Sequence, residues 1–149
     1  GNVATKGAGG AVGGSPTDKV HFYGCDFTEN VSLRGGGATP HLNGEMLDCT
    51  FTRNATFGDE AVGGAVRATK SGFCISNCTF DSNCITGRYE HGGALAIGEA
   101  GRVLDCTFTN NWVGGSNQRG GAIRLGDDTD DFQPFLAQDG AKTFGRRRR

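Results

Sequence analysis

Apolar and polar residues alternate in two short phrases that recur along the whole chain. The first phrase is Cys-x-Phe with an Asn three residues after the Phe, and it begins at Cys25, Cys49, Cys78 and Cys106. In the second copy Leu47 and Phe51 would face one side of an extended chain, whereas Asp48 would face the other. Leu104, Phe108 and Asp105 repeat this pattern in the last copy. This alternation predicts a half-buried β-strand rather than a helix.

The second phrase is Gly-Gly-Ala, and another alternating segment follows it. The phrase begins at Gly9, Gly36, Gly63, Gly92 and Gly120. The residues that we expect to point inward after it are Val12, Val66, Leu95 and Ile123. In the second copy Pro40 stands in this segment, and because proline cannot donate a backbone hydrogen bond, that strand is expected to be short or bulged.

The two phrases repeat with a nearly constant period. Successive Gly-Gly-Ala phrases are 27, 27, 29 and 28 residues apart, and the phenylalanines are 24, 29 and 28 residues apart. Such self-similarity indicates one structural unit per repeat, stacked on the next. Since no segment shows a sustained helical period, parallel strands joined by turns are expected. The prediction is an all-β parallel solenoid of about five coils over residues 1–126, followed over 127–149 by an acidic loop, a cap or extension and a basic tail.

Equal positions of successive coils stack about 4.8 Å apart in a parallel solenoid. We therefore expect a buried aromatic column, with a cysteine column beside it; the members are Phe27, Phe51, Phe80, Phe108, Cys25, Cys49, Cys78 and Cys106. The asparagines that end the phrase are expected to form a ladder at a turn, because Asn tolerates left-handed conformations and stacked amides bond along the axis.

These motifs resemble the polymorphic outer-membrane protein repeats of bacterial autotransporters, and more broadly the right-handed parallel β-helix superfamily that also contains pectate lyases. The resemblance rests on Gly-Gly-Ala followed by Ile, Leu or Val, and on Phe-x-x-Asn, as at Gly92–Leu95 and Phe108–Asn111, and it spans residues 9–125. It implies a right-handed β-helix that is secreted or exposed at a cell surface, often in adhesion.

Composition and charge narrow the classes of partner. The 149 residues include 27 glycines without a Gly-X-Y period, which excludes collagen. The formal net charge is −1, so no global field attracts nucleic acid, and no apolar run approaches the roughly 20 residues of a membrane span. Since the chain has no initiator Met and opens almost directly on a repeat, we expect a piece of a longer precursor.

Six cysteines leave two interpretations open. Buried thiols pack as small apolar groups, which would suit the cysteine column. Cys74 and Cys84 stand outside that column, and in a secreted protein they are candidates for a disulfide. Zinc is not expected, because there is no Cys-x-x-Cys pair and the three histidines share no spacing.

An acidic cluster follows the last repeat. Asp127, Asp128, Asp130 and Asp131 offer carboxylate oxygens that suit Ca²⁺; the alternative is a solvated loop that closes the solenoid. Within the coils, Asp26, Asp48 and Asp105 are expected to share one outward column without a repeated basic partner. No general acid–base pair is therefore predicted, and no cofactor other than Ca²⁺ is suggested.

Outward threonines and three sequons suggest other roles. The outward sets Thr50/Thr52 and Thr107/Thr109 resemble an ice-binding face, although Asp26 and Asp81 interrupt the array, and threonine also favours strands in general. The glycosylation sequons begin at Asn30, Asn54 and Asn77. We expect the first two amides to turn inward, which leaves Asn77 as the candidate acceptor.

The ends of the chain suggest self-association. A solenoid cut off mid-repeat has to be capped or stacked on another copy. The segment after the last repeat either caps the solenoid or forms an interface, and its candidate residues are Phe132, Phe135, Phe144, Arg146, Arg147, Arg148 and Arg149. The leading hypothesis is a non-enzymatic extracellular structural or adhesive solenoid that assembles head to tail or binds surface glycans. The alternatives are a polysaccharide-binding or lyase-like β-helix and an ice-binding protein.

Overall fold

The structure is a computed structural model that describes residues 1–7, 9–15, 17, 19–39, 42–59, 61–68, 70–88, 91–116, 120–125, 132–136 and 142–146. Strands and turns build this part of the chain, which contains no helix and therefore none long and apolar enough to cross a membrane. In chain order the strands are β1 (Val3–Ala4), β2 (Val20–Tyr23), β3 (Asp26–Thr28), β4 (Val31–Ser32), β5 (Gly44–Leu47), β6 (Thr50–Thr52), β7 (Ala55–Phe57), β8 (Val66–Ala68), β9 (Phe73–Ser76), β10 (Thr79–Asp81), β11 (Cys84–Arg88), β12 (Leu95–Ile97), β13 (Gly101–Leu104), β14 (Thr107–Thr109), β15 (Trp112–Ser116), β16 (Ile123–Leu125), β17 (Phe132–Leu136) and β18 (Lys142–Arg146).

Four sheets run along the solenoid axis. Sheet A has the order β1-β4-β7-β11-β15, sheet C the order β3-β6-β10-β14, and sheet D the order β8-β12-β16. Sheet B has the order β2-β5-β9-β13 and continues into β18 and β17. Within the coils every pairing is parallel and joins equal repeat positions, such as Phe51 with Phe80. The predicted parallel β-solenoid is thus confirmed, with about 28 residues per coil.

The number of coils is about four rather than five. The five Gly-Gly-Ala phrases suggested a fifth coil, but the chain enters the solenoid in sheet A and its last parallel strand, β16, lies in sheet D. Within the described residues the final turn is therefore only half built. The short strand expected at the second Gly-Gly-Ala phrase is present as a single bridge from Thr39 to Val66, and Pro40 itself lies outside the described residues.

Left-handed residues separate the strands at fixed repeat positions. One column lies between sheets B and C and contains Gly24, Asp48, Asn77 and Asp105, with φ between 48° and 57°. A second column lies between sheets C and A and contains Glu29, Arg53, Ser82 and Asn110, with φ between 51° and 56°. The ladder asparagines follow this second column, so the left-handed turn residue is the one before each of them and not, as expected, the asparagine itself.

The left-handed turn also changes which residues reach the core. The sequence had suggested one continuous strand from Leu47 through Phe51, with the leucine inward. Because Asp48 is left-handed, the alternation restarts after it, and Met46 is buried while Leu47 lies half-buried on the outer side of sheet B. The prediction for the leucine position was therefore wrong by one residue, whereas Cys49 and Phe51 do point inward.

The Gly-Gly-Ala phrase is explained by close approach of neighbouring coils. The first glycine of all five copies has a positive φ, between 65° and 80°. The second glycine of the first four copies leaves no room for a side chain; a Cβ on Gly64, for example, would lie 1.9 Å from the carbonyl oxygen of Gly93. The alanine points into the core, as Ala65 and Ala94 do at 0% exposure. The phrase is thus a turn, a backbone contact and a small core residue in succession.

The last two strands depart from the parallel pattern. Strand β18 pairs antiparallel with β13, and β17 pairs antiparallel with β18. They therefore lie at the C-terminal end of sheet B, where the next parallel strand of the solenoid would otherwise continue. Sheets A, C and D end at β15, β14 and β16.

Candidate functional site

The repeat asparagines form a hydrogen-bonded ladder that runs along the axis. Asn54 is fully buried, and its Nδ2 donates to Oδ1 of Asn83 at 3.0 Å and to the carbonyl oxygen of Phe27 at 2.8 Å. The backbone N–H of Asn54 donates to the same Oδ1 at 3.0 Å. The same bonds recur from Asn30 to Asn54 and from Asn83 to Asn111, and Asn2 begins the series. Asn2 is a rung of the ladder that the repeated phrase does not predict, because no Phe precedes it.

The phenylalanine column lies beside this ladder. Phe27, Phe51, Phe80 and Phe108 stack with ring centroids 4.9, 4.7 and 4.7 Å apart and interplanar angles of no more than 6°. Phe51 and Phe80 are fully buried, whereas Phe108 at the end of the column is half-buried. The column holds the coils in register, so the outward side chains of successive coils keep fixed positions relative to one another.

The cysteine column is buried in the middle and partly open at its ends. Cys49 and Cys78 are 1% exposed, and Cys25 and Cys106 are half-buried. Burial raises the pKa of the Cys49 thiol to about 11. A hydrogen bond between Cys78 and Cys106 raises the pKa of Cys78 and lowers that of Cys106. Because they are buried, these thiols serve chiefly as packing groups. They donate to backbone carbonyl oxygens, among them those of Leu47 and Ser76.

The suggested disulfide between Cys74 and Cys84 is not present, since all six cysteines are thiols. Cys74 lies in β9 of sheet B, where its neighbours in register are Glu45 and Arg102. Cys84 lies in β11 of sheet A, next to Ala55 and Trp112. The two cysteines occupy different sheets of one coil, so proximity in sequence does not bring them together.

Sheet C presents threonines and two aspartates on its outer face. Asp26 stands in register with Thr50, Thr79 and Thr107, so it does not share a column with Asp48 and Asp105 as expected. Asp81 stands in register with Thr52 and Thr109. The Thr109 hydroxyl donates to Oδ1 of Asp81 at 2.6 Å, and this bond is the main cause of the lowered pKa of Asp81.

Sheet A presents a different outer face, which we name the sheet A strip. Its outward positions form two neighbouring columns: Val3, Val31, Ala55, Cys84 and Trp112 in one, and Phe57, Thr86 and Gly114 in the other. Leu33, the residue directly after β4, is exposed and continues the second column by strand alternation. Val3, Leu33, Phe57 and Trp112 are 65%, 41%, 40% and 49% exposed. The described residues expose one other large apolar side chain, Tyr23, which lies on sheet B and donates its hydroxyl to Glu45. This face has no signal in the repeated phrases, because its members come from segments outside both of them.

The sequons differ in accessibility. Asn30 and Asn54 are 3% and 0% exposed and belong to the ladder, so the folded solenoid has no room for a glycan at either amide. Asn77 is exposed in the left-handed column between sheets B and C, and its amide donates to the carboxylate of Asp48. Asn77 remains the candidate acceptor.

The remaining predicted site residues lie mostly beyond the described chain. Asp127, Asp128, Asp130 and Asp131 are outside the described residues, as are Arg147, Arg148 and Arg149. Phe132 and Phe135 lie in β17, and Phe144 and Arg146 lie in β18. Within the described ranges, no group of three or more His, Cys, Asp or Glu side chains is arranged to hold a metal ion.

Comparisons with protein-family models, with curated proteins and with solved structures find no match to this chain. Support for the parallel β-solenoid therefore comes from the structure itself, whereas the resemblance to polymorphic outer-membrane protein repeats is an interpretation of the sequence motifs.

Proposed function

We propose that this chain is a non-enzymatic structural or adhesive β-solenoid that acts outside the cell and assembles head to tail. The extracellular placement rests on the resemblance of the repeats to those of surface proteins. The assembly rests on the open strand edges at the two ends of the solenoid. Strands β1, β2 and β3 are outermost at one end, and β14, β15 and β16 are outermost at the other.

The asparagine ladder has a direction that suits this contact, and it is the observation on which the proposal chiefly depends. Each Asn donates its N–H and Nδ2 to the Asn one coil later, as Asn83 does to Asn111 at 2.9 and 3.0 Å. Asn111 therefore directs donors out of the C-terminal end, and Asn2 at the other end carries the matching Oδ1. A second copy placed with β1 beside β15 would continue the ladder by one step. Such a contact joins different surfaces and does not close, so repeated addition yields a filament.

The half-built last turn limits how the copies meet. With β1 of a second copy beside β15, sheets A and D continue directly, whereas sheets B and C each have a slot one strand wide. In sheet B, β18 occupies this slot and β17 lies where β2 of the second copy would come. We therefore expect the segment after residue 125 to act as a partial cap that slows assembly.

An edge-blocking variant tests the contact. The N–H of Val31 donates to the carbonyl oxygen of Asn2. The N–H of the same trans peptide group belongs to Val3 and points the opposite way, to the open edge. Val3→Pro removes that donor from an exposed edge position without removing a described bond. Val3→Thr is the matched control, because it keeps the N–H and the β-branch.

Light scattering over a range of concentrations, with electron microscopy, gives the readout. Removal of residues 126–149 should increase association, Val3→Pro in that background should abolish it, and Val3→Thr should leave it intact. If the truncated chain stays monomeric at every concentration, or if Val3→Pro assembles as well as Val3→Thr, the proposed contact is wrong. The ice-binding and lyase-like alternatives are tested by thermal hysteresis and by Ca²⁺-dependent cleavage of uronic-acid polymers.

A further inference from the structure

The sheet A strip gathers most of the exposed large apolar side chains of the described residues on one lateral face. Val3, Leu33, Phe57 and Trp112 lie there, and Tyr23 lies elsewhere. Exposed apolar residues are ordinary when scattered singly, but their concentration on one face marks an interaction surface. The strip lies on the side of the solenoid and not at its ends, so its role is separate from head-to-tail assembly.

The outward side chains of the strip are uncharged, and charged residues lie only beside it. On one side Arg53 pairs with Glu29, with 2.8 Å between Nη2 and Oε1. On the other side the backbone N–H of Arg88 donates to Oδ1 of Asp59 at 3.2 Å, which brings a cationic and an anionic residue together. The strip itself therefore offers no charged group to a ligand, and a neutral partner fits these uncharged side chains best.

Trp112 lies down on the sheet because the neighbouring outward position is a glycine. A Cβ added at Gly114 would lie 2.0 Å from Cζ3 of the indole and 2.9 Å from Cη2. Only glycine leaves space for the ring to cover this position. Since the residue is nevertheless 49% exposed, one side of the indole rests on the sheet while the other side is open to solvent. The result is a flat aromatic plate on a rigid surface.

The size of the strip argues for a thin linear ligand. Five strands about 4.8 Å apart and two outward columns about 7 Å apart give a footprint of roughly 19 by 7 Å. A stable protein–protein interface needs about 800 Å² per partner, which is several times larger, so a second copy is disfavoured. A peptide strand would add to a sheet edge through its backbone, and the outer face of a sheet offers no such pairing.

We propose that the sheet A strip binds a neutral polysaccharide chain, with one sugar ring stacked on the indole of Trp112. A pyranose ring has a flat patch of C–H groups that suits an aromatic face, and its rim of hydroxyls finds polar partners in Thr86 and the flanking Arg88 and Asp59. Phe57, two coils away along the axis, contacts a further ring of the same chain. The axis of the polysaccharide then follows the axis of the solenoid.

The chain contains a single tryptophan, so its intrinsic fluorescence reports on Trp112 alone. Affinity electrophoresis in gels that contain hydroxyethyl cellulose, laminarin or galactomannan, with polygalacturonate as the anionic control, identifies the retarding polymer. The matching oligosaccharide is then titrated against tryptophan fluorescence. At least one neutral polymer should retard the protein, and its oligosaccharide should shift the emission in a saturable way.

Variants assign the binding to the strip. Trp112→Ala should weaken binding by about tenfold or more, and Trp112→Phe, which keeps a smaller ring, should weaken it less. Phe57→Ser should weaken binding several-fold and still permit fluorescence detection. Tyr23→Ala, which removes an exposed aromatic ring from sheet B, is the matched control and should bind as the wild type does. Circular dichroism shows whether each variant is folded. If Trp112→Ala is not folded, Phe57→Ser provides the test.

Three results would overturn the proposal. They are the absence of retardation by every neutral polymer, retardation that survives both Trp112→Ala and Phe57→Ser, and a dimer that Trp112→Ala abolishes, which would assign the strip to a second copy. Light scattering on the same samples keeps the test independent of assembly, because the monomer should bind the polysaccharide whether or not filaments form.

Discussion

Replacement of the ladder residue Asn83 by Ala should destabilise the solenoid more than most single substitutions would. Asn83 is 0% exposed, and its Oδ1 accepts from the N–H and the Nδ2 of Asn54, each at 3.0 Å. Its Nδ2 donates to the carbonyl oxygen of Phe51 at 2.9 Å and to Oδ1 of Asn111 at 3.0 Å. The substitution removes four hydrogen bonds and leaves two donors of Asn54 buried without their acceptor. At about 1 kcal/mol per bond, the expected loss is roughly 3–5 kcal/mol.

Asn83→Asp separates hydrogen bonding from packing, because the two side chains have nearly the same shape. The carboxylate still accepts from Asn54, but it faces the carbonyl oxygen of Phe51 and Oδ1 of Asn111 with an acceptor where a donor stood. At neutral pH the buried charge has no cation partner there, so the loss should be at least as large as for Ala. Burial should raise the pKa of this new carboxyl in the folded state. Its penalty relative to the wild type should therefore shrink as the pH falls, because protonation restores a donor.

Asn111→Ala is the matched control at the end of the same ladder. Asn111 is half-buried, and water can reach the groups that its removal leaves unpaired. Its loss should cost about 1–2 kcal/mol. The assay is urea unfolding followed by circular dichroism and by Trp112 fluorescence, with the slope compared among variants. If Asn83→Ala costs less than about 1 kcal/mol, or no more than Asn111→Ala, the ladder does not carry the stability assigned to it here.

Further substitutions probe the two columns beside the ladder. Phe80→Ala should cost about 3–5 kcal/mol in urea unfolding, because the ring is fully buried between two stacked rings, and Phe108→Ala at the half-buried end should cost clearly less; equal losses would contradict the placement of Phe80. For Cys49, burial raises the folded pKa from 9.0 to about 11, so its contribution is complete below pH 9 and is lost as the pH rises towards 11. The free energy of unfolding, measured across that pH range, should fall less steeply with pH for Cys49→Ala than for the wild type. Identical slopes would show that the thiol of Cys49 ionises normally.

The fold class followed from the sequence because it depends on a period, and a period survives local errors. The constant spacing of Phe51, Phe80 and Phe108 required stacked coils in equal register, and the register of β6, β10 and β14 has these three residues in line. The burial of Asn54 followed in the same way, since each repeat offers the same amide at the same turn. The antiparallel strands β17 and β18 had no such signal, because they stand outside the repeat.

The phase of the alternation was harder to predict than its presence. Leu47 was expected to point inward, but the left-handed backbone at Asp48 ends one strand and restarts the alternation in the next. Nothing in a hydrophobic pattern shows such a turn when a residue other than glycine adopts it. The related copy at Gly24 was the available signal, since glycine stands there at the repeat position of Asp48.

The sheet A strip shows most clearly what tertiary structure adds. Val3, Leu33, Phe57 and Trp112 are far apart in sequence and belong to no shared motif, and each by itself is an unremarkable exposed apolar residue. The same holds for Cys74 and Cys84, which are close in sequence but lie in different sheets. The sequence alone determined the coil, its period and its inner columns, because these repeat at every turn of the chain. Only the tertiary structure decided which unrepeated side chains share an outer face, because that depends on where each left-handed turn ends one sheet and begins the next.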